Sequence, residues 1–297
     1  MESTQTLQSL TRKDQPIFWT KSRSRLIADI LTYLLLIFIS IIILLPVAWM
    51  VSTSLKTNAE VYKFPPQWLP KIPMWKNYVD GLTFLPFLRY LLNTTIITLT
   101  SMFGQLLVSP MVAYAFARLR ARGRDALFVM VLATMMIPSQ VTMIPLFILF
   151  RIFGWIDTYL PLIVPNFFGN AFFIFLLRQF FLTLPSELGD SARIDGCGHF
   201  SVFSRIYLPL SSSAMATVAI FTFMWNWNDF LQPLIYLSST EKWTLTLGLS
   251  RFTALYGRTL WNQLMATSLV VVLPCILLFF FAQRYFIQGI VITGLKG

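Results

Sequence analysis

The sequence predicts an all-α membrane protein with six transmembrane helices. Three observations predict it. The chain of 297 residues is 56% apolar and only 12% charged, far from the composition of a soluble domain. Six windows free of charged residues punctuate it, and each is long enough to cross a hydrocarbon core about 30 Å thick, which takes roughly 20 helical residues. The windows are rich in Leu, Ile and Phe without strict alternation, and they exceed the roughly 10-residue dyad pattern of a barrel strand.

The windows run from Ile30 to Leu55, Tyr90 to Ala117, Ala126 to Phe150, Thr158 to Leu177, Ile206 to Asn228 and Thr259 to Gln283. Arg12, Lys13, Lys21, Arg23 and Arg25 precede the first, as they would a secretory signal. Its apolar run exceeds the roughly 7–15 residues of such a signal, however, and no small-residue cleavage site precedes Pro46 and Trp49. A retained helix is expected. The division that follows is a polar tail at 1–25, a six-helix domain at 26–288 and a second tail at 289–297. After the first window, Pro65, Pro66, Pro70, Pro73 and Pro86 mark an ordered, turn-rich outer loop over 56–89. No polar segment exceeds about 40 residues, too short for an inserted catalytic domain.

Orientation follows from the basic residues of short loops. Arg118, Arg120, Arg122 and Arg124, between the second and third windows, place that loop in the cytoplasm, and with it both termini and the segment from Arg178 to Arg205. Lys56, Lys63, Lys71, Lys76 and Arg89 then fall outside, an exception confined to the longest outer loop. The net charge of +11 is accounted for by basic residues at membrane borders, with no nucleic-acid partner implied. Cys197 and Cys275 suggest neither a disulfide framework nor a metal cluster.

Several spans carry polar or helix-breaking residues: Asn93, Thr94, Thr95, Ser101 and Gln105 in the second, Pro138, Ser139, Gln140 and Pro145 in the third, and Pro161, Pro165, Asn166 and Asn170 in the fourth. Singly, each reads as packing between helices. As a set they point to a bundle that lines a path.

The segment from Leu184 to Ser211, LPSELGDSARIDGCGHFSVFSRIYLPLS, is patterned too strongly for a connector. Pro185 and Ser186 start a helix of about ten residues, Glu187 and Asp190 favour its first turn, and Gly196 is placed to end it in the left-handed conformation. Leu188, Ala192 and Asp195 share one side, and Asp190 can pair with Arg193. A second short helix puts Phe200, Phe203 and Tyr207 on one stripe, and Pro209 opens the fifth span.

These residues resemble the EAA loop of importer permeases of the ATP-binding-cassette class: Glu-Ala-Ala, a Gly four residues later, and Ile-x-Leu-Pro ten residues beyond. Asp190, Ser191 and Ala192 stand in the first three positions, Gly196 in the fourth, and Ile206, Leu208 and Pro209 in the last element. Asp replaces Glu and Ser replaces the first Ala, with the spacing kept. FPPQWLP, AYAFARLRARGR, IPSQVTMIPLF, WNDFLQPLI and the terminal QRYFIQGIVITGLKG extend the resemblance over nearly the whole chain, toward the second permease of maltose-type systems. The resemblance implies an importer-permease fold in the inner or plasma membrane and a cytoplasmic coupling helix. Asp190, Ser191, Ala192, Arg193, Asp195, Gly196, Ile206, Leu208 and Pro209 would contact a separate ATPase dimer, with the terminal tail as an additional contact. It also implies a second permease as heterodimer partner and an extracytoplasmic substrate-binding protein, beside the membrane lipid that the spans require.

Trp225, Asn226, Trp227, Asn228 and Asp229 pair amides with indoles at the end of the fifth window. That combination suits hydrogen bonding and stacking on a sugar, and it equally suits an interfacial aromatic belt with Asp229 in headgroup water. With Asn166 and Asn170 they are the substrate-path candidates. An enzyme is disfavoured: His199 is the one histidine, so no H-E-x-x-H pair exists and no Ser, His and acid set converges. The phosphate-cradling G-x-x-x-x-G-K-[ST] is absent, so ATP and Mg are expected on the partner ATPase and no cofactor here. A proton- or sodium-coupled secondary transporter or a channel subunit is the alternative, disfavoured because every window is free of charged residues, with the acid Asp229 just beyond the fifth.

Overall fold

The computed structural model describes residues 23–254 and 259–294. Two compact units meet between Trp49 and Met50. The first is built on α1 (Arg23–Ser54), whose residues from Met50 onward belong to the second and which runs unbroken through Pro46. In the second, the loop after α1 holds α2 (Asn58–Val61) and α3 (Lys76–Phe84), followed by the long α4 (Phe87–Arg118).

The loop is ordered, as its prolines suggest. Asn77 in α3 is buried and donates through Nδ2 to the carbonyls of Ser54 and Lys56, each at 2.8 Å, while Asn262 donates to its Oδ1 at 3.0 Å. Thr57 and Glu60 form a reciprocal capping box at the start of α2. Glu60 also accepts from the Lys71 backbone at 3.3 Å.

The third window is not one straight helix. It splits into α5 (Arg124–Thr134) and α6 (Ser139–Ile152), bent by 96°. The break falls at Pro138, which lacks the N–H to continue the ladder and biases Ile137 away from helix. Pro145, by contrast, lies inside α6. The fourth window comprises α7 (Leu160–Ile163), a 3₁₀ turn at Val164–Phe168 and α8 (Ala171–Thr183). Next come α9 (Glu187–Ile194), α10 (His199–Val202), a π-helical turn at Phe203–Tyr207 and α11 (Leu208–Leu210). The fifth span, α12 (Ser212–Trp227), follows a 79° bend. After α13 (Leu231–Tyr236), α14 (Leu245–Leu249) and α15 (Arg251–Ala254), α16 runs from Trp261 to Gly294. Among the described residues, four helices are long and apolar enough to cross a membrane, or six if each bent pair is one span. The segment from 289, expected as a tail, is helical through Gly294, and residues 295–297 lie outside the described part, as do 1–22 of the first tail.

α4 is the axis of the second unit, and its buried polar side chains meet the other elements where their backbones break. Asn93 donates to the carbonyls of Glu241 and Trp243, each at 2.9 Å, and the Thr94 hydroxyl accepts from Leu245 N at 2.9 Å. One level down, Ser101 donates to Leu162 O at 3.3 Å, and Gln105 donates to Asn166 Oδ1 at 3.1 Å. Asn166 in turn donates to Leu162 O at 2.9 Å, and Ser109 donates to Gln105 Oε1 at 2.8 Å. Gly104 lets the 3₁₀ turn approach, since a Cβ there would stand 2.7 Å from the Phe167 ring. Asn93, Thr94, Ser101 and Gln105 of α4 therefore bond to neighbouring elements of this chain, as packing residues do.

At the end of the second unit that carries α7 and α13, Asp157 fastens two loops together. It holds φ +59°, a left-handed conformation that Asp tolerates better than most residues. Its carboxylate accepts from Ser238 N at 3.0 Å, Ser239 N at 2.8 Å, Ser239 Oγ at 2.6 Å and Lys242 Nζ at 2.8 Å. These donors, Lys242 and Ser239 first, hold its pKa well below the usual carboxylate range. Lys242 is 40% exposed, so water screens that pair and the backbone donors carry much of the clamp.

A depressed folded-state pKa contributes stability that is complete above the unfolded value of about 4 and is lost as pH falls toward the folded value. Thermal melting of the purified protein from pH 7 to pH 3 should therefore show a destabilisation that Asp157→Ala lacks. The variant should start lower by about 2 kcal/mol at neutral pH. Parallel pH profiles in the two proteins would show that the clamp is not the titrating element.

Candidate functional site

The elbow from Pro185 to Ser211 has a rigid local geometry. α9 begins with the Ser186 carbonyl, which accepts from Gly189 N at 2.9 Å and Asp190 N at 3.1 Å. The Ser186 side chain makes no capping bond, so the start rests on backbone and on the negative charge of Glu187 and Asp190 in the first turn. The helix spans eight residues rather than ten. It ends in a complete Schellman motif: Cys197 N donates to Ala192 O at 2.9 Å, Gly196 N to Arg193 O at 3.0 Å, and Gly196 takes φ +86°. The left-handed corner is where the glycine's position implied it.

α9 turns Gly189 and Ala192 inward. Leu188, expected on the same side as Ala192, is exposed, as is Asp195. Gly189 was not singled out by pattern, yet it sets the contact: its missing Cβ would lie 3.2 Å from the Tyr207 hydroxyl. Phe203 and Tyr207 pack inward, while Phe200, expected on their stripe, is 68% exposed. Tyr114 of α4 gathers them, with ring centroids 5.3 Å from Phe203, 5.2 Å from Tyr207 and 6.3 Å from Phe181 of α8. Ala192, Ile206 and Leu208 join this core with Val218 of α12. Pro209 lies in the single turn of α11, ahead of the 79° bend, and the long straight run of the fifth span starts at Ser212.

One side chain ties the elbow to the spans. Arg118, the last residue of α4, donates through Nη2 to Phe181 O at 2.5 Å and to Leu184 O, capping the C-terminal carbonyls of α8. Its guanidinium lies 5.0 Å from the Tyr207 ring centroid. Among the four arginines of that loop it reads as an ordinary topology marker. Only its place at the end of α4, opposite the end of α8, separates it from the others.

The nine residues implied by the resemblance thus divide three ways. Ala192, Ile206 and Leu208 face the core; Gly196 and Pro209 shape the backbone; Asp190, Ser191, Arg193 and Asp195 stay exposed. The expected Asp190–Arg193 pair does not form. Arg193 Nη2 instead stands 2.9 Å from His199 Nδ1 and 2.7 Å from Nε2, donating to whichever ring nitrogen carries no proton. Ile194, at the outer side of α9, is 87% exposed.

The substrate-path candidates are not gathered at one site. Asn166 serves the Gln105 network, and Asn170 caps α8 by accepting from Phe172 N at 2.9 Å. Trp227 is buried and donates from Nε1 to Val271 O at 3.0 Å. Asn226 and Asn228 bond to the carbonyls of Thr222 and Met224 in their own helix, each at 2.8 Å, and Asp229 accepts from Gln232 N at 3.2 Å. Trp225 is different: it is 48% exposed, stacked on Phe173 at 5.0 Å and flanked by Phe172 and Phe221. Among the described residues no group of three His, Cys, Asp or Glu side chains is placed to hold a metal ion.

Residues 105–292 match the family described as the binding-protein-dependent transport system inner membrane component. The arabinooligosaccharides transport system permease protein AraQ of Bacillus subtilis is 36% identical over 266 residues, 87% of this chain and 92% of that one. The sn-glycerol-3-phosphate transport system permease protein UgpE of Pectobacterium atrosepticum is 33% identical over 270 residues, 89% and 96% of the two chains. A crystal structure of a bacterial ABC transporter involved in the import of the acidic polysaccharide alginate superposes with a TM-score of 0.78 at 25% identity, over 89% of this chain and 98% of that chain. The chain belongs to this family, as a multi-pass permease of the ABC importer class in the inner membrane.

Replacing Arg118 by Gln should release the α8 end from the elbow. Loss of the charge-assisted bonds to Phe181 and Leu184 should cost about 2–3 kcal/mol. Amide exchange over residues 186–207 should accelerate more than exchange over α16. Equal acceleration in both regions would mean general loosening and no specific tether.

Proposed function

We propose that this permease forms half of a translocation path for a saccharide or glycoside, and that the elbow from Asp190 to Pro209 couples that path to a separate ATPase dimer on the cytoplasmic side. A lever has to be stiff within itself and tied to what it moves. The observation that carries the reading is the Arg118 and Tyr114 junction, which joins α4, α8 and the elbow into one core while Asp190, Ser191, Arg193, Ile194 and Asp195 stay uncovered. Those uncovered residues are the face offered to the ATPase, where ATP and Mg would be used. This assignment puts the elbow and both termini in the cytoplasm, and the Asp157 clamp outside.

The remaining partners follow from the family's description as binding-protein-dependent: a second permease completing the path, and an extracytoplasmic binding protein delivering solute. Relatives named for arabinooligosaccharides and the alginate importer support a glycan-class solute, and UgpE widens the class to polyol phosphates. Within this chain the path contribution centres on Trp225, whose exposed indole on an aromatic platform suits stacking against a sugar face. Asn226 and Asn228, one of them exposed, lie beside it in sequence.

Gly196→Val tests the coupling. A β-branched residue in the left-handed region costs roughly 1–2 kcal/mol or more, while nothing stands within 4 Å to oppose the side chain itself. Uptake should fall about tenfold or more, with membrane insertion retained and Gly196→Asn, which tolerates the same φ, partly active. Normal uptake in the valine variant would remove the elbow from the mechanism. Trp225→Ala should lower uptake without lowering association with the ATPase; uptake at the wild-type rate would exclude Trp225 from the path.

A further inference from the structure

Behind the elbow lies a cavity of about 650 Å³, polar in its walls. Arg118 and Arg120 from the end of α4, Arg124 from the start of α5, and Asp190, Arg193 and His199 from the elbow line it. Four guanidiniums therefore meet one lining carboxylate, Asp190, and no ion pair joins Asp190 to them among the described residues. Arg124 pairs outward with Asp125 at 3.0 Å and donates to Leu119 O at 3.1 Å. Arg193 is held against His199, and Arg118 by the α8 carbonyls. Arg120 is exposed and has no hydrogen-bond partner among the described residues.

Concentrating like charge in a concave site costs free energy unless an anion compensates it, and a concavity of one sign focuses the field on such an anion. The geometry points to a binding site for a phosphate-bearing anion between the α4–α5 loop and the elbow. Guanidinium forks match phosphate oxygens two at a time, and Arg118 and Arg193 are oriented in advance by their own partners. The volume exceeds what a lone carboxylate fills and leaves room for a glycerol- or sugar-sized substituent. Two sources share this chemistry: the diester headgroup of an anionic lipid, favoured by the site's position where the apolar span of α4 ends, and a soluble phosphate ester. An occupant would bridge the loop to α9 and α10 and stiffen the elbow from behind. Asp190 and Arg193 also belong to the face proposed for the ATPase, so the site is tested on the chain without its ATPase.

Native mass spectrometry of the purified full-length chain, in neutral detergent, reads this directly. Titration with phosphatidylglycerol, phosphatidylcholine or inorganic phosphate separates the sources. Selective binding of phosphatidylglycerol assigns the lipid headgroup. Binding of inorganic phosphate, or its competition with the lipid, assigns a soluble ester. Arg120→Gln and Arg193→Gln should each weaken the anion about tenfold, the effect of one lost charge-assisted hydrogen bond, with Arg120→Lys intermediate. Arg122→Gln, in the same loop but outside the cavity wall, should bind as wild type does. No preference for the anions over phosphatidylcholine, unchanged affinity in the Arg120 and Arg193 variants, or an equal loss in Arg122→Gln would each overturn the site.

Discussion

A backbone that leaves the helical ladder inside a bilayer has no water to receive its freed N–H and C=O groups, so the protein itself must receive them. In this chain α4 does so. Asn93 and Thr94 satisfy the segment around Glu241 to Leu245, Ser101 and Gln105 serve the break between α7 and α8, and Arg118 takes the carbonyls at the end of α8. These contacts lie at three levels of one helix. The irregular elements of the permease are possible because α4 is polar along the side that meets them.

The same arrangement explains why the elbow is stiff. α9 is too short to be stable alone. Its order derives from a closed Schellman corner and from the Tyr114, Phe203 and Tyr207 rings, which belong jointly to the spans and the elbow. Gly189 permits the closest approach, and Arg118 adds a charged contact across the junction. The exposed residues of α9 are thereby held in place from below, which leaves their side chains available for a partner.

Much of this was legible in the residues, and the limits are physical. Charge-free windows report how much of a chain resides in lipid, so the span positions at Phe87–Arg118 and Trp261–Gln283 emerged directly. The glycine corner at Gly196 was readable because a left-handed residue has few chemical solutions. The 96° break at Pro138 was not distinguishable from the uninterrupted helix at Pro145, since proline in a span is tolerated or not according to which neighbours accept the freed carbonyls. For the same reason the bonds that Asn166 and Asn170 make within the chain are not legible in the sequence: an amide serving a helix break and one serving a solute are the same side chain. The packing roles of Gly189 and Arg118 are not legible there because they depend on contacts with Tyr207 and the end of α8, which no local pattern encodes.

The π-helical turn at Phe203–Tyr207 has a consequence for how this elbow can vary. A π turn accommodates one more residue than the α turn it replaces, and each residue of an α-helix advances the azimuth by about 100°. A homologue one residue shorter between Gly196 and Pro209 could close the π turn to an α turn and keep Tyr207 facing Gly189, whereas the same deletion from a continuous α-helix would turn everything downstream by about 100°. The π turn therefore takes up one residue of slack without a phase change, and what such a joint must keep is angular registry rather than length.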